Sequence, residues 1–364
     1  MSKIAVIGCG AVGLTSALEL QNKFGSCMRV TIFADKFSPN TTSDIAAGLW
    51  EPYLLADNSE FDVFRWSSRT YRFILKLWQE GEAKAAGICL QPVVNLSALK
   101  NYSCPKWVAA TIGYNELSDG CLQSFSELYG QSFTGGFMFI SFTWEAAVFL
   151  PYLQAGVAVK CPQSLQCWLK SDEFFQQKFL KIGGIIKERH IGSLNELEEF
   201  DAILNCTGLE ARRLSNDETV VPIRGQIIRA EAPWLYFTYV IQSELEDQTC
   251  YVIPNAKSAV FGGTQQKSFR TTVSSSDSQR ILRNVHKLLP QIAQARILQE
   301  IVGLRPSRPK VRLEAEFFKL ATGKIVPVVH NYGHGGAGIT LSIGCAQDAA
   351  LLIGKVLKIT SSKL

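Results

Sequence analysis

Residues 4 to 18 read IAVIGCGAVGLTSAL and decide the fold. A short apolar run leads straight into glycines at positions 8, 10 and 13, and a helical pattern follows them. This order is typical of the strand, tight turn and helix N-terminus of a dinucleotide-binding βαβ unit. Gly8 lets the chain turn off the strand, Gly10 lets backbone N–H groups approach a pyrophosphate, and Gly13 lets the helix pack closely on the strand. We therefore expect the positive dipole end of this helix to face phosphates.

The residues after this turn complete the pattern of a nucleotide-binding unit. The helix is expected to run to about Phe24, and a β-rich run, VTIF at 30–33, follows it. Asp35 comes just after that strand, about 20 residues past the last glycine, where a carboxylate can bind ribose hydroxyls. A plain βαβ turn without a ligand is the alternative, but this context favours a nucleotide.

The composition indicates a globular chain large enough for two structural units. It has 364 residues, of which 47% are hydrophobic and 19% charged, and one unit takes about 150 residues. We expect no apolar run long enough to span a membrane and no signal peptide, because the N-terminus leads directly into a strand. The net charge of +5 is spread along the chain, which argues against nucleic acid as a partner.

Ten cysteines are present, and none of them forms a C-x-x-C pair. Several, such as Cys9 and Cys206, lie inside apolar runs. This placement favours buried, reduced thiols over disulfides or zinc ligands. We therefore expect no metal site.

The last three residues, Ser362-Lys363-Leu364, form a tripeptide that a peroxisomal import receptor reads at a free C-terminus. By chance, a given tripeptide stands at this one position in about one chain in several thousand. We therefore expect a peroxisomal location, with the import receptor as a partner.

Three other segments have the character of ligand-binding loops. A polar loop with hydroxyls at 41–43 precedes small residues at 46–48, and this stretch reads either as a capped helix start or as a second wall of a cofactor groove. The buried-strand pattern at 201–208 ends in Thr207-Gly208, at the carboxyl end where α/β sheets bind ligands. A strand at 325–330 leads into the glycine-rich turn 331–340 and a long helix, whose N–H groups could also meet a ligand.

The remaining periodicity predicts helices over 59–86 and 165–180, and a helical region over 281–304 that starts with a helix at 281–289. The first helix is expected to bury one stripe: Phe61, Phe64, Tyr71, Ile74, Leu75 and Trp78. The helix at 281–289 is expected to be capped by Asp277 or Ser278. Strands are predicted at 183–191, 221–228, 251–254 and 259–264, the last three in an antiparallel sheet separate from the first unit. Residues 104–149 are too interrupted by glycines for an assignment.

Taken together, these motifs resemble the family of D-amino-acid oxidases and D-aspartate oxidases, which are peroxisomal FAD enzymes. The matching stretches, which span nearly the whole chain, are IAVIGCGAVGLTSAL, ADKFSPNTTSDIAAGLWEPYL, ILNCTG, RGQI, APW, YVIP, FGGT, VGLRPSRPKVRLE and VVHNYGHGGAGIT. The resemblance implies an α/β fold, with a Rossmann-like FAD-binding domain and a second α+β substrate-binding domain built on an antiparallel sheet. We expect the first domain to comprise 1–52, 156–208 and 305–364, and the second 53–155 and 209–304, with a lid near 235–250.

Carried over residue by residue, the resemblance implies FAD contacts at Gly8, Gly10, Ala11, Val12, Gly13, Asp35, Lys36, Thr41, Thr42, Ser43, Ala47, Gly48, Leu49, Ile191, Gly208, Gly335, Gly336, Ala337, Gly338, Ile339 and Thr340. It also implies that Arg305 grips the substrate carboxylate with help from the Tyr251 hydroxyl, while the Gly336 carbonyl receives the amine. A guanidinium fork suits a carboxylate. Without the resemblance, Arg305 could be an ordinary ion-pair arginine and Tyr251 a sheet aromatic. His330 and His334 lie in the glycine turn, and we assign neither as a base, because hydride transfer needs none.

The family chemistry implied by the resemblance is an oxidative deamination. A D-amino acid binds with a neutral amine, and its Cα–H transfers a hydride to flavin N5. The imino acid is hydrolysed to a 2-oxo acid and ammonia, and molecular oxygen reoxidises the flavin to give hydrogen peroxide. The protein supplies orientation and electrostatics while the cofactor carries the chemistry.

Three departures from the family pattern concern the substrate pocket. Gln265 stands where the aspartate-specific branch carries an arginine, so a dedicated clamp for an acidic side chain is lost. Glu51, close to Tyr53 in the pocket, replaces a glutamine of the neutral-substrate branch, and its carboxylate would repel acidic side chains and favour basic ones. Asp247 stands in the lid where the neutral branch has a second tyrosine. An insertion is also expected between 130 and 158.

We therefore expect an enzyme that oxidises neutral and basic D-amino acids. The alternatives are a D-aspartate or D-glutamate oxidase of the same family, a flavin oxidase of glycine or N-methyl amino acids, and a non-catalytic nucleotide-binding module. The oligomeric state stays open, with a homodimer as one option.

Overall fold

One mixed sheet of fourteen strands runs through the computed structural model, which describes residues 1–55, 57–155, 184–245 and 248–359. The strands are β1 Ser2–Ile7, β2 Met28–Ala34, β3 Ile88–Ser97, β4 Ile112–Glu116, β5 Gly135–Trp144, β6 Ile185–Glu188, β7 Ala202–Asn205, β8 Val221–Glu231, β9 Thr238–Gln242, β10 Cys250–Pro254, β11 Ala259–Gly262, β12 Gln266–Lys267, β13 Arg296–Lys319 and β14 Ile325–His334. Their order in the sheet is β4-β5-β3-β9-β10-β11-β8-β13-β14-β7-β1-β2-β6, and β12 also pairs with β8.

Helices flank this sheet. They are α1 Ala11–Phe24, α2 Glu60–Gln79, α3 Ala83–Ala86, α4 Asp119–Tyr129, α5 Ala146–Ala155, α6 Ala211–Leu214, α7 Ser275–Leu288 and α8 Gly338–Val356. Several helices begin directly after a serine. Its hydroxyl accepts a hydrogen bond from a backbone N–H group in the first turn that would otherwise have no partner. Ser59 does this for Asp62 at the start of α2, and Ser118 does it for Cys121 at the start of α4.

The predicted βαβ unit is confirmed. β1 pairs in parallel with both β2 and β7, and β7 pairs in parallel with β14. α1 joins β1 to β2 and buries Leu14, Ala17 and Leu20. A β-carbon on Gly13 would overlap the carbonyl of Gly8, so this glycine lets the helix lie close to the turn.

The expectation of a separate antiparallel sheet is wrong. β8, β9, β10 and β11 are antiparallel neighbours, but β13 joins them to the nucleotide-binding strands. This strand has 24 residues and pairs with β8 through its first half and with β14 through its second. One long strand therefore carries residues from one half of the fold to the other without a break.

The buried face of α2 also differs from the predicted stripe. Tyr71 and Ile74 are buried as expected, but Phe61 is 72% exposed and Trp78 is 42% exposed. The buried face instead includes small polar residues such as Thr70, whose hydroxyl donates to the Trp66 carbonyl. Because their hydroxyls can be satisfied within the helix, these residues pack like apolar ones, and a stripe chosen by hydrophobicity alone was misplaced.

Several predicted boundaries need correction. The predicted helix 59–86 is broken after Gln79, and α7 begins at Ser275, capped by the Ser274 hydroxyl and not by Asp277 or Ser278. Asp277 and Ser278 lie inside the first turn of this helix, where the Asp277 carboxylate pairs with Arg224. Residues 296–304 belong to β13 and are not helical. At the other end of the sheet, β14 continues to His334 and takes up the first part of the expected turn.

α8 is the core helix of the nucleotide-binding half and packs against α1 and α2. Contrary to the sequence expectation, Gly335–Val356 is long and apolar enough to cross a membrane by length and composition, but 67% of the relevant window is buried inside the fold. Burial of this kind is what a core helix shows. The helix predicted near 165–180 and part of the expected insertion lie outside the described residues, and the domain boundaries stay a prediction.

Candidate active site

A cavity of about 970 Å³ opens at the carboxyl ends of β1, β2 and β7 and continues along β8, β10 and β13. This is the edge at which open α/β sheets bind their ligands. The residues that the sequence assigned to a site and that line the cavity are Gly8, Gly10, Ala11, Val12, Asp35, Lys36, Thr41, Thr42, Ser43, Ala47, Gly48, Leu49, Glu51, Tyr53, Gly208, Tyr251, Arg305, Gly335, Gly336, Gly338, Ile339 and Thr340.

The turn after β1 has the geometry of a phosphate cradle. Gly8 has a φ of 106°, and a β-carbon there would overlap the Cys206 carbonyl, so only glycine fits without strain. The backbone N–H of Ala11 donates to the Ser43 hydroxyl at 3.1 Å. Ser43 therefore fastens the loop 41–43 to the N-terminus of α1, and backbone and hydroxyl donors stand together on one side of the cavity.

The segment 41–48 combines a local capped turn with a place on the cavity wall. Thr41 and Asp44 form a capping box around the short 3₁₀ turn Thr42–Ile45, with the Thr41 hydroxyl donating to Asp44 at 2.6 Å. The same segment also lines the cavity as its second wall. At Gly48 a β-carbon would overlap the Trp144 carbonyl, which explains why the wall needs glycine there.

Asp35 lies on the cavity wall just after β2, as the motif predicts. Its carboxylate is 3.1 Å from Nδ1 of His190, and Nε2 of His190 is 3.0 Å from Nη2 of Arg213. The neighbouring Ile191 does not line the cavity: its side chain is buried against a core that contains Ile7. Ile191 could therefore meet a cofactor only through its backbone.

The glycine-rich turn forms the opposite wall. Gly335 has a φ of 54°, and a β-carbon there would overlap the Leu54 carbonyl. Ala337 does not line the cavity and belongs to a buried cluster that also contains Trp66. His334 is buried on the wall, its Nε2 atom lacks a hydrogen-bond partner in the described structure, and burial lowers its pKa to about 4. A neutral imidazole with an unsatisfied buried nitrogen is therefore available to a bound group.

Arg305 provides a cation without a carboxylate partner. Its Nη1 donates to the Thr264 carbonyl at 3.0 Å, and its guanidinium carbon lies 5.9 Å from the centroid of the Tyr53 ring. It also donates to the buried hydroxyl of Tyr251, whose pKa is raised by burial. Within the described residues no Asp or Glu oxygen lies within 4.0 Å of it, although most other arginines on this sheet are paired. The arrangement suits an incoming carboxylate.

Two glycines make the space that these side chains occupy. A β-carbon on Gly225 would overlap the Arg305 guanidinium, and one on Gly262 would overlap the Tyr251 ring. The motifs RGQI and FGG therefore contribute to the site by the absence of a side chain.

Glu51 is a buried carboxylate on the same cavity, 8% exposed. The backbone N–H of Glu51 donates to the Thr340 hydroxyl, and this hydroxyl donates to the Glu51 carbonyl. Oε1 of Glu51 accepts a hydrogen bond from Nδ2 of Asn95 at 2.8 Å. Burial raises the pKa of the Glu51 carboxyl to about 7, and the bond from Asn95 offsets this only in part. Among the residues with described positions, no Lys, Arg or His pairs with it.

The other predicted pocket residues are placed as follows. Gln265 is not on the cavity wall, but its amide donates to the Tyr53 hydroxyl. Gly13 likewise lies behind the wall, at the contact of α1 with the Gly8 turn. Asp247 lies outside the described residues. His330 is away from the cavity, with Nε2 at 2.9 Å from Glu316, which agrees with a structural role.

Sequence reasoning missed several residues of the site. Cys9, Cys206, Arg213 and Gly225 line the cavity, while Asn95 and His190 contact residues that do. The glycine in RGQI was a usable signal, whereas Asn95 and Arg213 stand in stretches without a motif. Burial raises the pKa of the Cys206 thiol to about 12, which fits an inert wall residue. The described residues contain no group of three or more His, Cys, Asp or Glu side chains that could hold a metal.

These features define a class of protein. The sequence profile of the family described as FAD dependent oxidoreductase matches residues 3–110 and 174–352, well over half of the chain. The protein therefore belongs to this family, its cofactor is FAD, and it is an oxidoreductase. The cavity fits that cofactor, because it joins a glycine cradle for phosphates, a carboxylate for a ribose and a buried unsatisfied histidine nitrogen.

Two relatives identify a narrower family within this one. The chain is 31% identical to the D-aspartate oxidase of Homo sapiens, over 97% of this chain and 95% of that protein. It is 33% identical to the D-amino-acid oxidase of Rubrobacter xylanophilus, over 98% of this chain and 97% of that protein. The chain thus belongs to the family of D-amino-acid oxidases and D-aspartate oxidases, which confirms the resemblance found in the sequence.

Solved structures agree on the fold. Glycine oxidase from Geobacillus kaustophilus superposes with a TM-score of 0.68 at 17% identity, over 98% of this chain and 95% of that chain. L-alpha-glycerophosphate oxidase from Mycoplasma pneumoniae with FAD bound has a TM-score of 0.67 at 13% identity, over 97% and 95% of the two chains. These likenesses confirm the predicted α/β fold with a Rossmann-like FAD-binding part.

Proposed function

We propose that this protein catalyses the FAD-dependent oxidative deamination of D-amino acids. One D-amino acid, one molecule of oxygen and one of water give a 2-oxo acid, ammonia and hydrogen peroxide. Bound FAD supplies the electron acceptor, which takes a hydride from the substrate Cα and is reoxidised by oxygen. The observation that carries the proposal is the Arg305 guanidinium, which has no carboxylate partner among the described residues and lies beside the buried Tyr251 hydroxyl.

The role of Arg305 is to hold and orient the substrate through its α-carboxylate. Its planar donors match a carboxylate bidentately, and the bond to Thr264 fixes the guanidinium before the substrate arrives. The Tyr251 hydroxyl stands ready to bind the same group. On the opposite wall, Gly336 presents its backbone at the cavity and is assigned the role of receiving the substrate amine.

No side chain on the wall needs to act as a general base. A substrate that binds with a neutral amine loses its Cα hydrogen as a hydride, so no carbanion forms. His334 is kept neutral by burial, with a pKa of about 4, which suits a hydrogen-bonding role. These residues act by orientation, exclusion of water and electrostatics.

The side-chain preference proposed is for neutral and basic D-amino acids over acidic ones. Gln265 bonds to Tyr53 and offers no cation to an acidic side chain. Glu51 adds a buried carboxylate to the same region, and a second carboxylate would be repelled there. A D-aspartate oxidase is the alternative that the human relative suggests.

Steady-state rates of peroxide formation with D-alanine, D-arginine and D-aspartate test this preference. We expect kcat/KM to be highest for D-alanine or D-arginine and lowest for D-aspartate. D-aspartate as clearly the best substrate would contradict the preference while leaving the reaction class intact.

A peroxisomal location is part of the proposal, since the chain ends in Ser362-Lys363-Leu364 and the reaction produces hydrogen peroxide. A fluorescent protein fused to the N-terminus should enter peroxisomes, and deletion of the last three residues should leave it in the cytosol. A homodimer is one option for the oligomeric state, and light scattering on the purified protein would check it.

A further inference from the structure

Three side chains from distant parts of the sequence form a hydrogen-bonded row at the cofactor cavity. Asp35 follows β2, His190 follows β6, and Arg213 belongs to α6. Oδ2 of Asp35 lies 3.1 Å from Nδ1 of His190, and Nε2 of His190 lies 3.0 Å from Nη2 of Arg213. Asp35 and Arg213, the two ends of the row, both line the cavity, and His190 joins them.

The donors and acceptors in the row fix the direction of its two hydrogen bonds. An arginine N–H can only donate, so Nε2 of His190 must accept the bond from Arg213. The proton of a neutral imidazole then sits on Nδ1, which donates to the Asp35 carboxylate. Arg213 therefore determines both the tautomer of His190 and the plane of its ring.

Arg213 is itself held in place. Its Nη1 donates to the Gly192 carbonyl at 3.1 Å, and its Nε faces Glu210 at 3.4 Å. Arg189, next to His190, takes no part in the row and instead pairs with Glu196 at 2.8 Å. The guanidinium of Arg213 thus has three acceptors: the Gly192 carbonyl, His190 and Glu210.

We propose that His190 and Arg213 are positioning residues that hold the Asp35 carboxylate in place to bind the hydroxyls of the adenosine ribose of FAD. One carboxylate oxygen of Asp35 is tied to His190, while the other has no hydrogen-bond partner among the described residues. A carboxylate that is oriented beforehand loses less freedom when the ribose binds. The three side chains are about half exposed, so each bond alone is weak and the effect is expected to be moderate.

The test measures FAD affinity of the full-length protein by quenching of flavin fluorescence. We expect His190→Ala to weaken FAD binding about tenfold and Arg213→Met to weaken it about threefold. Arg189→Met is the control for loss of an arginine charge, because Arg189 is as exposed as Arg213 and lies one residue from His190, although only Arg213 lines the cavity. It should leave FAD affinity unchanged. His190→Asn keeps a donor that can reach Asp35 and should restore part of the affinity.

A second ligand separates positioning of Asp35 from a general structural effect. This probe is an FAD analogue whose adenosine ribose lacks both hydroxyls. Wild-type protein should bind it more weakly than FAD, and His190→Ala should cause no further loss. Equal losses for FAD and the analogue in either His190→Ala or Arg213→Met, or an Arg189→Met loss as large as that of Arg213→Met, would overturn the proposal.

Discussion

The guanidinium of Arg305 fills the space that a β-carbon on Gly225 would need. Gly225 lies opposite Gly303 across the β8–β13 pair, and Arg305 stands two residues further along β13 on the same face. The Arg305 side chain therefore lies over a strip of the sheet that has no side chains, formed by Gly225 and Gly303. This strip, together with the Thr264 carbonyl and the Tyr53 ring, holds the cation at the cavity.

Replacing Gly225 with alanine should displace Arg305 although neither the cation nor any ligand contact is removed. We expect kcat/KM for D-alanine to fall at least about tenfold, mainly through KM, because the carboxylate clamp is misplaced. Gly120→Ala is the control, since a β-carbon there meets nothing within 4 Å and Gly120 lies at the exposed start of α4. Equal activity of the two variants would mean that Arg305 is not held by this strip.

Removing the Arg305 guanidinium should lower kcat/KM more than displacing it does. Arg305→Ala is expected to lower kcat/KM for D-alanine about a hundredfold, which corresponds to about 3 kcal/mol of transition-state binding. Arg305→Lys should recover only part of this, because an ammonium cannot bind a carboxylate in the planar, bidentate way. Flavin absorbance of both variants serves as the folding control. An unchanged kcat/KM in Arg305→Ala would remove Arg305 from the substrate site.

Glu51 should make the preference for basic side chains depend on pH. With a pKa raised to about 7 by burial, its carboxyl is neutral below pH 7 and charged above it, and only the charged form attracts a cation. D-arginine and its neutral isostere D-citrulline share the titration of the substrate amine, which cancels in the ratio of their kcat/KM values. We expect this ratio to rise about tenfold from pH 6 to pH 8.

The variant Glu51→Gln provides the comparison for this ratio. It keeps the size of the side chain and a hydrogen-bonding partner for Asn95 but cannot ionise. The ratio should therefore be flat with pH in the variant. A rise of the same size in both proteins would show that Glu51 does not face the substrate side chain.

Asp217 should stabilise the fold in a pH-dependent way. Burial raises its pKa, but bonds from Thr219, Tyr332 and Arg308 outweigh this and lower it to about 2. The unfolded chain takes up this proton near pH 3.8, so the stabilisation is complete at neutral pH and is lost as the pH falls from about 4 to 2. Asp217→Asn should lower the free energy of unfolding by on the order of 2 kcal/mol at pH 7. Urea titrations at pH 7 and pH 3 should show a smaller difference at pH 3; an equal difference would contradict this origin.

The sequence predicted the parts of the molecule that depend on local patterns. Gly8 has a positive φ that favours glycine, and Gly13 is needed because a β-carbon there would overlap the Gly8 carbonyl. Asp35 follows at a spacing set by one helix and one strand. The pocket residues Arg305 and Tyr251 came from motifs of a known family, and the structure brings both to the cavity.

Features that depend on distant packing were not predictable in the same way. The first part of β13, residues 296–304, was expected to be helical, and only the pairing with both β8 and β14 shows that 296–319 is one strand. Asn95 and Arg213 reach the site from stretches without a motif, because their positions follow from how the sheet and α6 are assembled. The misplaced stripe on α2 has a related cause, since the burial of Thr70 depends on what packs against it.

The most direct test of the central claim is the visible spectrum of the purified protein under exclusion of oxygen, before and after addition of D-alanine or L-alanine. We predict yellow flavin bands that bleach with D-alanine and do not change with L-alanine, as the proposed oxidation of D-amino acids requires. Flavin bands that bleach with neither isomer, or with L-alanine alone, would contradict the assignment of this protein as a D-amino-acid oxidase.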